Sequence, residues 1–279
     1  MIRFESHFPK RFILLLIFLF LTSDGVAIAA FEERLYSTRA AALGGAYAAL
    51  MNNHSAIFGN PSSLGFNDNR RLNILYGRSF GLKELANSGI SVPFNFEFGN
   101  IEIGLSRFGF SLYHEDIVSI GVGKRILNNA AVGLALRYLS TGISGYGSAA
   151  TIGVDIGFLM KINPKLNIGV SAKNVNAPKL SKSEDSLARS LRVGASFAIE
   201  DNVSLIAEYH TEENQIAVYR IGSEIEILND QYLRFGITSN PSSFSMGFGI
   251  ELNRIDLNYS FNTHQYLDAS QFFSLGYIF

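Results

Sequence analysis

The sequence contains no cysteine, and this absence excludes several kinds of protein. The chain forms no disulfide, binds no metal through thiolates and carries no lipid on an N-terminal cysteine, although its compartment stays open. Its formal net charge of −1 gives no long-range attraction for nucleic acid, so we expect no nucleic-acid partner. The sequence also lacks a P-loop and a dinucleotide-binding fingerprint.

One short stretch has the letters of a catalytic motif. Gly77-Arg-Ser-Phe-Gly81 matches the G-x-S-x-G nucleophile elbow, but that motif requires a turn from a strand into a helix. Here the stretch falls where a strand enters a glycine-rich loop. Four histidines lie in predicted loops, strand ends or the N-terminal segment: His54, His114, His210 and His264. None shows a short metal-ligand spacing, and we interpret each as a surface side chain. We therefore expect no catalytic residue, no metal and no cofactor.

Alternation with a period of two is the dominant pattern, and it is clearest between Thr151 and Lys173. Large apolar side chains take every second position of two runs: Ile152, Val154, Ile156 and Phe158, then Leu166, Ile168 and Val170. This period predicts two β-strands, and Asn163-Pro164 between them is a turn signal. The opposite faces carry glycine, serine and single charges. Such faces suit a transmembrane β-barrel, with apolar side chains toward lipid and small polar ones toward the lumen.

The mean hydropathy of +0.17 agrees with a barrel, because it is high for a soluble protein and low for a helical membrane protein. Fourteen segments share the alternation, and an even number suits a barrel whose two ends lie on one side of the membrane. The predicted strands are Arg71–Phe80, Asn87–Phe98, Ile101–Phe110, Asp116–Ile126, Ala131–Thr141, Ser148–Ile162, Lys165–Val175, Ala188–Ile199, Asn202–Thr211, Gln215–Ile227, Gln231–Thr238, Ser243–Leu252, Ile255–Thr263 and Ala269–Phe279. We therefore predict an all-β fold, a transmembrane antiparallel β-barrel of about 14 strands.

Tight turns and longer loops alternate between these segments. The longer loops include 81–86, 112–115, 142–147, 176–187 and 262–268. Short turns belong to the periplasmic end of such a barrel and longer loops to the outside. The N-terminal segment is therefore expected to enter from the periplasmic end.

The N-terminus has the features of a secretory signal peptide. Lys10 and Arg11 precede an apolar run over residues 12–21, and Ala27-Ile-Ala29 provides a cleavage site. The run is shorter than the roughly 20 residues that a membrane-spanning helix needs. We predict a signal peptide over residues 1–29, with cleavage after Ala29 or Ala30.

Residues 30–69 lack the alternation. They contain Arg39-Ala-Ala-Ala-Leu-Gly-Gly-Ala-Tyr-Ala-Ala-Leu50 and then Asn60-Pro-Ser-Ser-Leu64. A short helix is predicted around Ala46–Met51, because Gly44-Gly45 and Asn52-Asn53 break the chain on either side. Small residues of this kind allow a backbone to pack against the walls of a narrow lumen.

These two motifs resemble the N-terminal hatch of the FadL superfamily of outer-membrane proteins, most closely its PorV/PorQ branch. The residues that carry the resemblance are Gly44, Gly45, Tyr47, Asn60, Pro61 and Leu64. The resemblance implies a plug inside a fourteen-stranded barrel. Two features depart from the family: Ser62-Ser63 stand where Ala-Gly is usual, and the chain is short, with little room for the long extracellular helices that capture ligand in FadL transporters. The expected organisation is a signal peptide (1–29), a hatch (30–69) and an outer-membrane barrel (70–279).

The predicted inner face carries charges of both signs, whereas the predicted outer positions such as Leu134, Phe197, Phe248 and Leu257 carry none. The inward charges are Glu102, Arg137, Asp155, Lys173, Arg192, Glu208, Arg220, Glu224, Arg234, Glu251 and Asp256. Because unpaired buried charge is costly, they should pair with one another or with Arg34, Arg39 and Asn60 of the hatch. The alternative is that some of them line a route for cargo.

The C-terminal strand ends in Tyr277 and Phe279 on its outer face, which resembles the signal that the outer-membrane assembly machinery recognises. Together with the signal peptide, it predicts an exported protein in the outer membrane of a Gram-negative-type bacterium. The expected partners are outer-membrane lipid and the assembly machinery. Secreted proteins or a hydrophobic ligand are further candidates.

Two non-enzymatic functions fit this scaffold. In the first, a plugged PorV/PorQ-type barrel acts in type IX protein secretion or surface display, or as an envelope interaction scaffold, with the loop 176–187 contacting a partner. In the second, a FadL-like passive transporter carries hydrophobic small molecules such as long-chain fatty acids. The second needs an apolar pocket beside the hatch, for which the candidates are Leu43, Ala46, Leu50 and Phe58, next to Tyr47.

Overall fold

The computed structural model describes residues 27–28, 30–51, 55–67, 70–180 and 186–279. The apolar run 12–21, His54 and residues 181–185 of the longest predicted loop lie outside this part of the chain. Among the described residues, no helix combines the length and the apolar character needed to cross a membrane.

All fourteen predicted strands are present, with ends that differ from the predicted ones by at most three residues. The strands are β1 (Arg71–Arg78), β2 (Ala86–Phe96), β3 (Gly99–Gly109), β4 (Tyr113–Leu127), β5 (Ala130–Ile143), β6 (Gly147–Asn163), β7 (Leu166–Lys173), β8 (Ser190–Glu200), β9 (Val203–Glu212), β10 (Val218–Leu228), β11 (Gln231–Ser239), β12 (Ser242–Leu252), β13 (Ile255–Asn262) and β14 (Ser270–Ile278). The predicted all-β fold class is confirmed.

The sheet closes on itself. Each barrel strand pairs antiparallel with its neighbours in the sequence, and β14 pairs with β1 so that Leu275 lies opposite Ile74. At the predicted turn between β6 and β7, the Asn163 side chain accepts hydrogen bonds from the backbone N–H groups of Lys165 and Leu166, each 2.9 Å long. Closure leaves no strand edge that runs the height of the barrel.

The two faces sort as the alternation predicts. On the outer face Leu134, Phe197 and Phe248 expose 43%, 46% and 39% of their surface. On the inner face Ser119 and Ser260 are fully buried. In a closed barrel the backbone polar groups are paired within the sheet, so only side chains meet the surroundings. Apolar side chains on the outer face therefore suit contact with hydrocarbon.

The loop between β7 and β8 turns partly into the mouth of the barrel. β6 extends well above β7, and the Asn176 side chain accepts from Val154 N at 2.9 Å and donates to Ile152 O at 2.8 Å, which satisfies the exposed edge of β6. Leu180 and Leu187 of this loop pack in an apolar cluster with Leu139. The two-residue strand Ser186–Leu187 also pairs in parallel with Ala27–Ile28.

The hatch contains one short α-helix, α1 (Thr38–Ala42), and two 3-10 helices, Ala56–Phe58 and Pro61–Phe66. The helix predicted around Ala46–Met51 is wrong. α1 lies earlier because Ser37 caps its first turn, accepting from Ala40 N at 3.3 Å, and because Gly44 and Gly45 end it with φ angles of 71° and 86°. After the glycines, the backbone N–H groups of Tyr47 and Ala48 bond to the Glu208 carboxylate on the wall instead of to helical carbonyl groups.

The hatch lies against a ring of wall glycines. A Cβ added to Gly169 would lie 1.9 Å from the carbonyl oxygen of Ala48, and one added to Gly236 would lie 2.1 Å from the backbone nitrogen of Gly44. The same close approach occurs between Gly133 and Pro61, at 2.2 Å. Backbone therefore packs directly on backbone, which only a residue without a side chain allows.

Gly169→Ala is expected to lower the free energy of unfolding by about 1–3 kcal/mol, because the added methyl group overlaps the hatch backbone. Gly89→Ala is the matched control, since a Cβ at Gly89 has its nearest atom at 3.5 Å, an ordinary contact. The urea midpoint of each variant, read from the shift between folded and unfolded bands in cold SDS gels, measures the difference. Equal midpoints for the two variants would contradict the proposed backbone contact.

Candidate functional site

All eleven charged residues predicted for the inner face point inward. They are Glu102 on β3, Arg137 on β5, Asp155 on β6, Lys173 on β7, Arg192 on β8, Glu208 on β9, Arg220 and Glu224 on β10, Arg234 on β11, Glu251 on β12 and Asp256 on β13. The structure brings most of them into ion pairs, either with one another or with the hatch. Most of these buried charges therefore have the oppositely charged partners that the cost of unpaired buried charge predicts.

Glu208 joins the hatch to the wall at the centre of the lumen. Its side chain is fully buried and accepts hydrogen bonds from the backbone N–H groups of Tyr47 and Ala48, each 2.8 Å long. The same carboxylate pairs with Arg192, and it pairs with Arg220 at 3.1 Å. One carboxylate thus pairs with two arginines and satisfies two backbone donors of the hatch.

A second carboxylate, Glu33 of the N-terminal arm, lies on the other side of these arginines. Glu33 pairs with Arg192 and, at 3.1 Å, with Arg220. His210 lies 3.6 Å from Glu33 and is 5% exposed, so its interpretation as a surface side chain is wrong. The physical reason is the register of β9, where His210 follows Glu208 by two positions and therefore shares its inward face.

Tyr47 completes this cluster from the hatch. Its hydroxyl donates to Glu33 Oε1 at 3.2 Å, and the Arg192 guanidinium lies 4.4 Å from the centre of its ring. Burial raises the pKa of the Tyr47 phenol well above its usual value, so the hydroxyl stays protonated and remains a donor.

Charges nearer the predicted periplasmic end form a second network. Arg39 of α1 pairs with Glu224 at 2.6 Å, and Arg234 pairs with the same carboxylate at 2.6 Å. Arg71 pairs with Asp256 at 2.6 Å and with Glu251 at 3.0 Å. The predicted pairing of hatch Arg39 with a wall charge is therefore observed.

The third network lies toward the predicted extracellular mouth. Arg34 of the arm pairs with Glu115, which is 1% exposed, and Arg137 pairs with Asp155 at 2.7 Å. Glu115 had been assigned to a loop. Its in-phase alternation with Ile117 and Ser119 was the signal that β4 begins earlier.

The hatch motif residues lie at wall contacts. The Asn60 side chain donates to Ala48 O at 2.6 Å and accepts from Ser62 N at 3.1 Å, so it holds two parts of the hatch together instead of pairing with a charge. Pro61 and Leu64 belong to the 3-10 helix that packs on β4, β5 and β6. Gly44 packs on β11, where Thr238 donates to its carbonyl oxygen at 2.9 Å.

The candidate pocket residues divide between two clusters. Leu43, Ala46 and Leu50 pack with Tyr47 and with wall residue Ile206. Phe58 belongs to another cluster, with Tyr36, Ile57, Leu75 and Ala135. The four candidates are between 0% and 8% exposed, so in this state their side chains fill the space that a ligand would need.

Open space occurs elsewhere. A cavity of about 330 Å³ beneath α1 is polar, and its lining includes Asn73, Asn167, Ser196, Glu224 and Arg234. A smaller space of about 40 Å³ lies near the mouth, beside the arm, between Tyr36, Phe58, Ile117 and Lys173. The lower cavity suits water, and the upper one has both apolar and charged walls.

An apolar depression of about 520 Å³ lies on the outer wall across β1 to β4. Its walls include Ile74, Ile90, Leu105 and Val118, and Gly89 lies at its base. On the inner side, a Cβ added to Gly89 would lie 3.5 Å from Tyr36 and 3.8 Å from Phe58, two rings whose centres are 4.9 Å apart. The paired strands around Gly89 therefore separate the outer depression from the aromatic pair of the hatch, and Gly89 itself adds no side chain between them.

The remaining predicted features are placed as follows. Tyr277 and Phe279 expose 43% and 52% of their surface at the end of β14. Ser79 begins a 3-10 turn, Ser79–Gly81, at the end of β1. Within the described part of the chain, no group of three or more histidine, aspartate or glutamate side chains is placed to hold a metal ion.

No family model matches the chain, and no curated protein matches it in sequence. Solved structures do match. The toluene transporter TodX of Pseudomonas putida superposes with a TM-score of 0.65 at 12% identity, covering 90% of this chain and 98% of that one. The Ralstonia pickettii toluene transporter TbuX gives 0.64 at 12% identity, covering 88% and 98%, and a Pseudomonas aeruginosa FadL homologue gives 0.58 at 12% identity, covering 92% and 99%. This chain has their fold, a barrel of the FadL type.

Glu208→Ala is expected to lower the free energy of unfolding by about 3–5 kcal/mol, because it leaves two buried arginines without this carboxylate and the Tyr47 and Ala48 N–H groups without an acceptor. The urea midpoint in cold SDS gels measures the loss. Trypsin cleavage after Arg39 in the detergent-solubilised barrel should also become faster as the hatch loosens. Glu97→Ala, at an exposed turn, is the control and should leave both readouts unchanged. A wild-type midpoint for Glu208→Ala would show that the hatch does not depend on this carboxylate.

Proposed function

We propose that this chain is a passive channel for hydrophobic small molecules in the outer membrane, as the FadL-like alternative from the sequence suggests. The observation that carries the proposal is the glycine-backed apolar depression beside the hatch aromatic pair. It occurs in a barrel with the fold of two toluene transporters. Fold likeness alone leaves the cargo open, whereas this wall position has apolar surface on both faces of the sheet.

The route we propose is lateral. A ligand enters at the mouth beside the arm, passes between Tyr36 and Phe58 of the hatch and leaves through the wall at Gly89 into the outer depression. The rings must separate by rotation, because their side chains fill this position in the present state. The strand pairing of Gly89 with Leu75 and Ser106 must also open for a ligand to cross the wall. The apolar faces of the Tyr36 and Phe58 rings would then contact the ligand and shield its apolar surface as it passes.

The polar interior below supports a lateral exit. An apolar molecule that continued toward the periplasm would enter the cavity beneath α1, which is lined by Glu224, Arg234 and amide side chains. Leaving into lipid avoids that transfer, which costs about 25 cal/mol for each Å² of apolar surface exposed to water. The bilayer would thus be the receiving compartment.

The location and assembly partners form part of the same proposal. Cleavage of the signal peptide would deliver the chain to the periplasm, and Tyr277 and Phe279 would present the C-terminal strand to the outer-membrane assembly machinery. The exposed apolar side chains of the outer wall would then contact lipid.

A PorV/PorQ-type role in secretion or surface display is the second candidate. It is favoured by the filled hatch clusters and by exposed apolar side chains at three loop tips, where Tyr146, Ile216 and Tyr266 expose 89%, 77% and 88% of their surface. The loop 176–187 is less suited to docking than expected, because its Leu180 and Leu187 are buried in the mouth. In this candidate, the loop tips would hold a secreted protein.

Gly89→Leu is expected to slow uptake of labelled toluene or oleate into proteoliposomes by roughly tenfold or more, because the added side chain meets Tyr36 and Phe58 within the proposed route. Ser196→Leu adds similar bulk to the polar cavity below and should leave uptake unchanged. Both variants must first show the mobility of folded barrel in cold SDS gels. Uptake no faster than in protein-free liposomes would refute transport, and a loss only in Ser196→Leu would place the route through the lower cavity.

The double variant Tyr146→Ser/Tyr266→Ser is expected to abolish capture of an envelope protein if the second candidate holds, because these loop tips supply the most exposed aromatic surface. Capture is measured by affinity purification after cross-linking in the native host. Tyr138→Ser on the outer wall serves as the control, since it also removes an exposed tyrosine but leaves the loop tips intact. An unchanged set of partners would count against docking at these loops.

A further inference from the structure

The arm that leads into the hatch begins with a residue in an unusual conformation. Phe31 has φ of 59°, in the left-handed region that residues with side chains rarely adopt. That torsion is defined by the carbonyl carbon of Ala30. It constrains Phe31 only while the peptide bond between Ala30 and Phe31 is intact.

The backbone nitrogen of Phe31 also has an unusual partner. It donates to Glu115 Oε1 at 3.2 Å, and Glu115 is 1% exposed in the lumen. The same carboxylate accepts from Tyr113 Oη at 2.5 Å and pairs with Arg34. A buried carboxylate with this set of donors would bind an ammonium group more strongly than an amide N–H, because the attraction between two opposite full charges adds to the hydrogen bond.

We infer that export processing cuts this chain between Ala30 and Phe31, and that the resulting α-ammonium group of Phe31 forms an ion pair with Glu115 inside the barrel. The sequence offers cleavage after Ala29 or after Ala30. The two sites give mature chains that begin at different residues. A chain that begins at Ala30 keeps the left-handed Phe31, whereas a chain that begins at Phe31 has no φ torsion at that residue.

Water is the co-reactant of this step. The peptidase adds water across the Ala30–Phe31 amide bond, so that Ala30 leaves with a carboxylate and Phe31 gains an amine that is protonated near neutral pH. The peptidase cuts before the barrel folds, so the lumen does not select the peptide bond that is cut. The contacts in the lumen indicate instead which N-terminus the folded barrel accommodates. Ala27–Ile28, which pair with Ser186–Leu187 in the full-length chain, leave with the signal peptide.

The ion pair would fix the start of the arm at the mouth. Arg34 and the new ammonium group would approach Glu115 together, so a single wall carboxylate would anchor both ends of the segment 31–34. Arg34 also lies over the ring of Phe108, with its guanidinium carbon 3.5 Å from the ring centre. The arm would then enter the lumen in one orientation, with Glu33 directed toward Arg192 and Arg220.

Two measurements test this inference on the protein purified from the outer-membrane fraction of its host. N-terminal sequencing, checked by intact mass, should find Phe31 as the first residue. A chain that begins at Ala30, or one that retains the leader, would overturn the assignment. Reductive dimethylation should then modify the α-amine at least severalfold more slowly in the folded barrel than in the urea-unfolded chain.

Glu115→Gln tests the partner of the amine. In a variant that keeps the cold-gel mobility of folded barrel, dimethylation of the α-amine should approach the rate of the unfolded chain, whereas Glu97→Gln should retain the slow rate. If Glu115→Gln does not fold, Tyr113→Phe removes one competing donor, keeps the carboxylate and should preserve the protection. An α-amine that reacts equally fast in the folded wild type and the unfolded chain would overturn the ion pair whichever residue comes first.

Discussion

The contact between Glu208 and the hatch backbone is the interaction on which the arrangement of the lumen depends. A closed barrel removes its inner charges from bulk water, so each charge needs a partner within hydrogen-bonding distance. Glu208 meets that need for Arg192 and Arg220 and also holds the N–H groups of Tyr47 and Ala48. Wall glycines allow this geometry, because a side chain at Gly169 would push the hatch away from the carboxylate. Charge pairing and backbone packing thus depend on each other.

The distribution of polarity inside the barrel follows from the same constraint. Ion pairs lie toward the mouth, at the centre and in the lower half, where Arg39 and Arg234 share Glu224 around a polar cavity. One of the two apolar clusters of the hatch packs at the wall position near Gly89, where Tyr36 and Phe58 meet. A hydrophobic ligand would therefore find compatible surroundings at the side of the barrel and not along its axis. This division supports a lateral channel more strongly than fold likeness alone does.

The local errors of sequence interpretation have two causes. His210 looked like a surface residue when it was considered alone, although its spacing from Glu208 already placed both on one face. The helix expected at Ala46–Met51 does not form, because the wall carboxylate competes for its backbone N–H groups. Asn60, expected to pair with a wall charge, bonds to Ala48 O instead. For the helix and for Asn60, a contact formed only in the folded barrel decided the outcome, and local pattern contains no information about such a contact. For His210, the alternation of β9 already contained the signal.

The sequence by itself determined the fourteen strands, their inward and outward faces and the inward position of the charges, because a period of two assigns every side chain to a face. It could not assign partners across the lumen. Only closure of the barrel brought Arg39 to Glu224, Arg34 to Glu115 and Gly89 to the hatch aromatic pair, residues far apart in the chain. Which hatch atom meets which wall residue depends on the strand register and on the path of an irregular segment. Tertiary packing therefore decided where the lumen is filled and where apolar space remains.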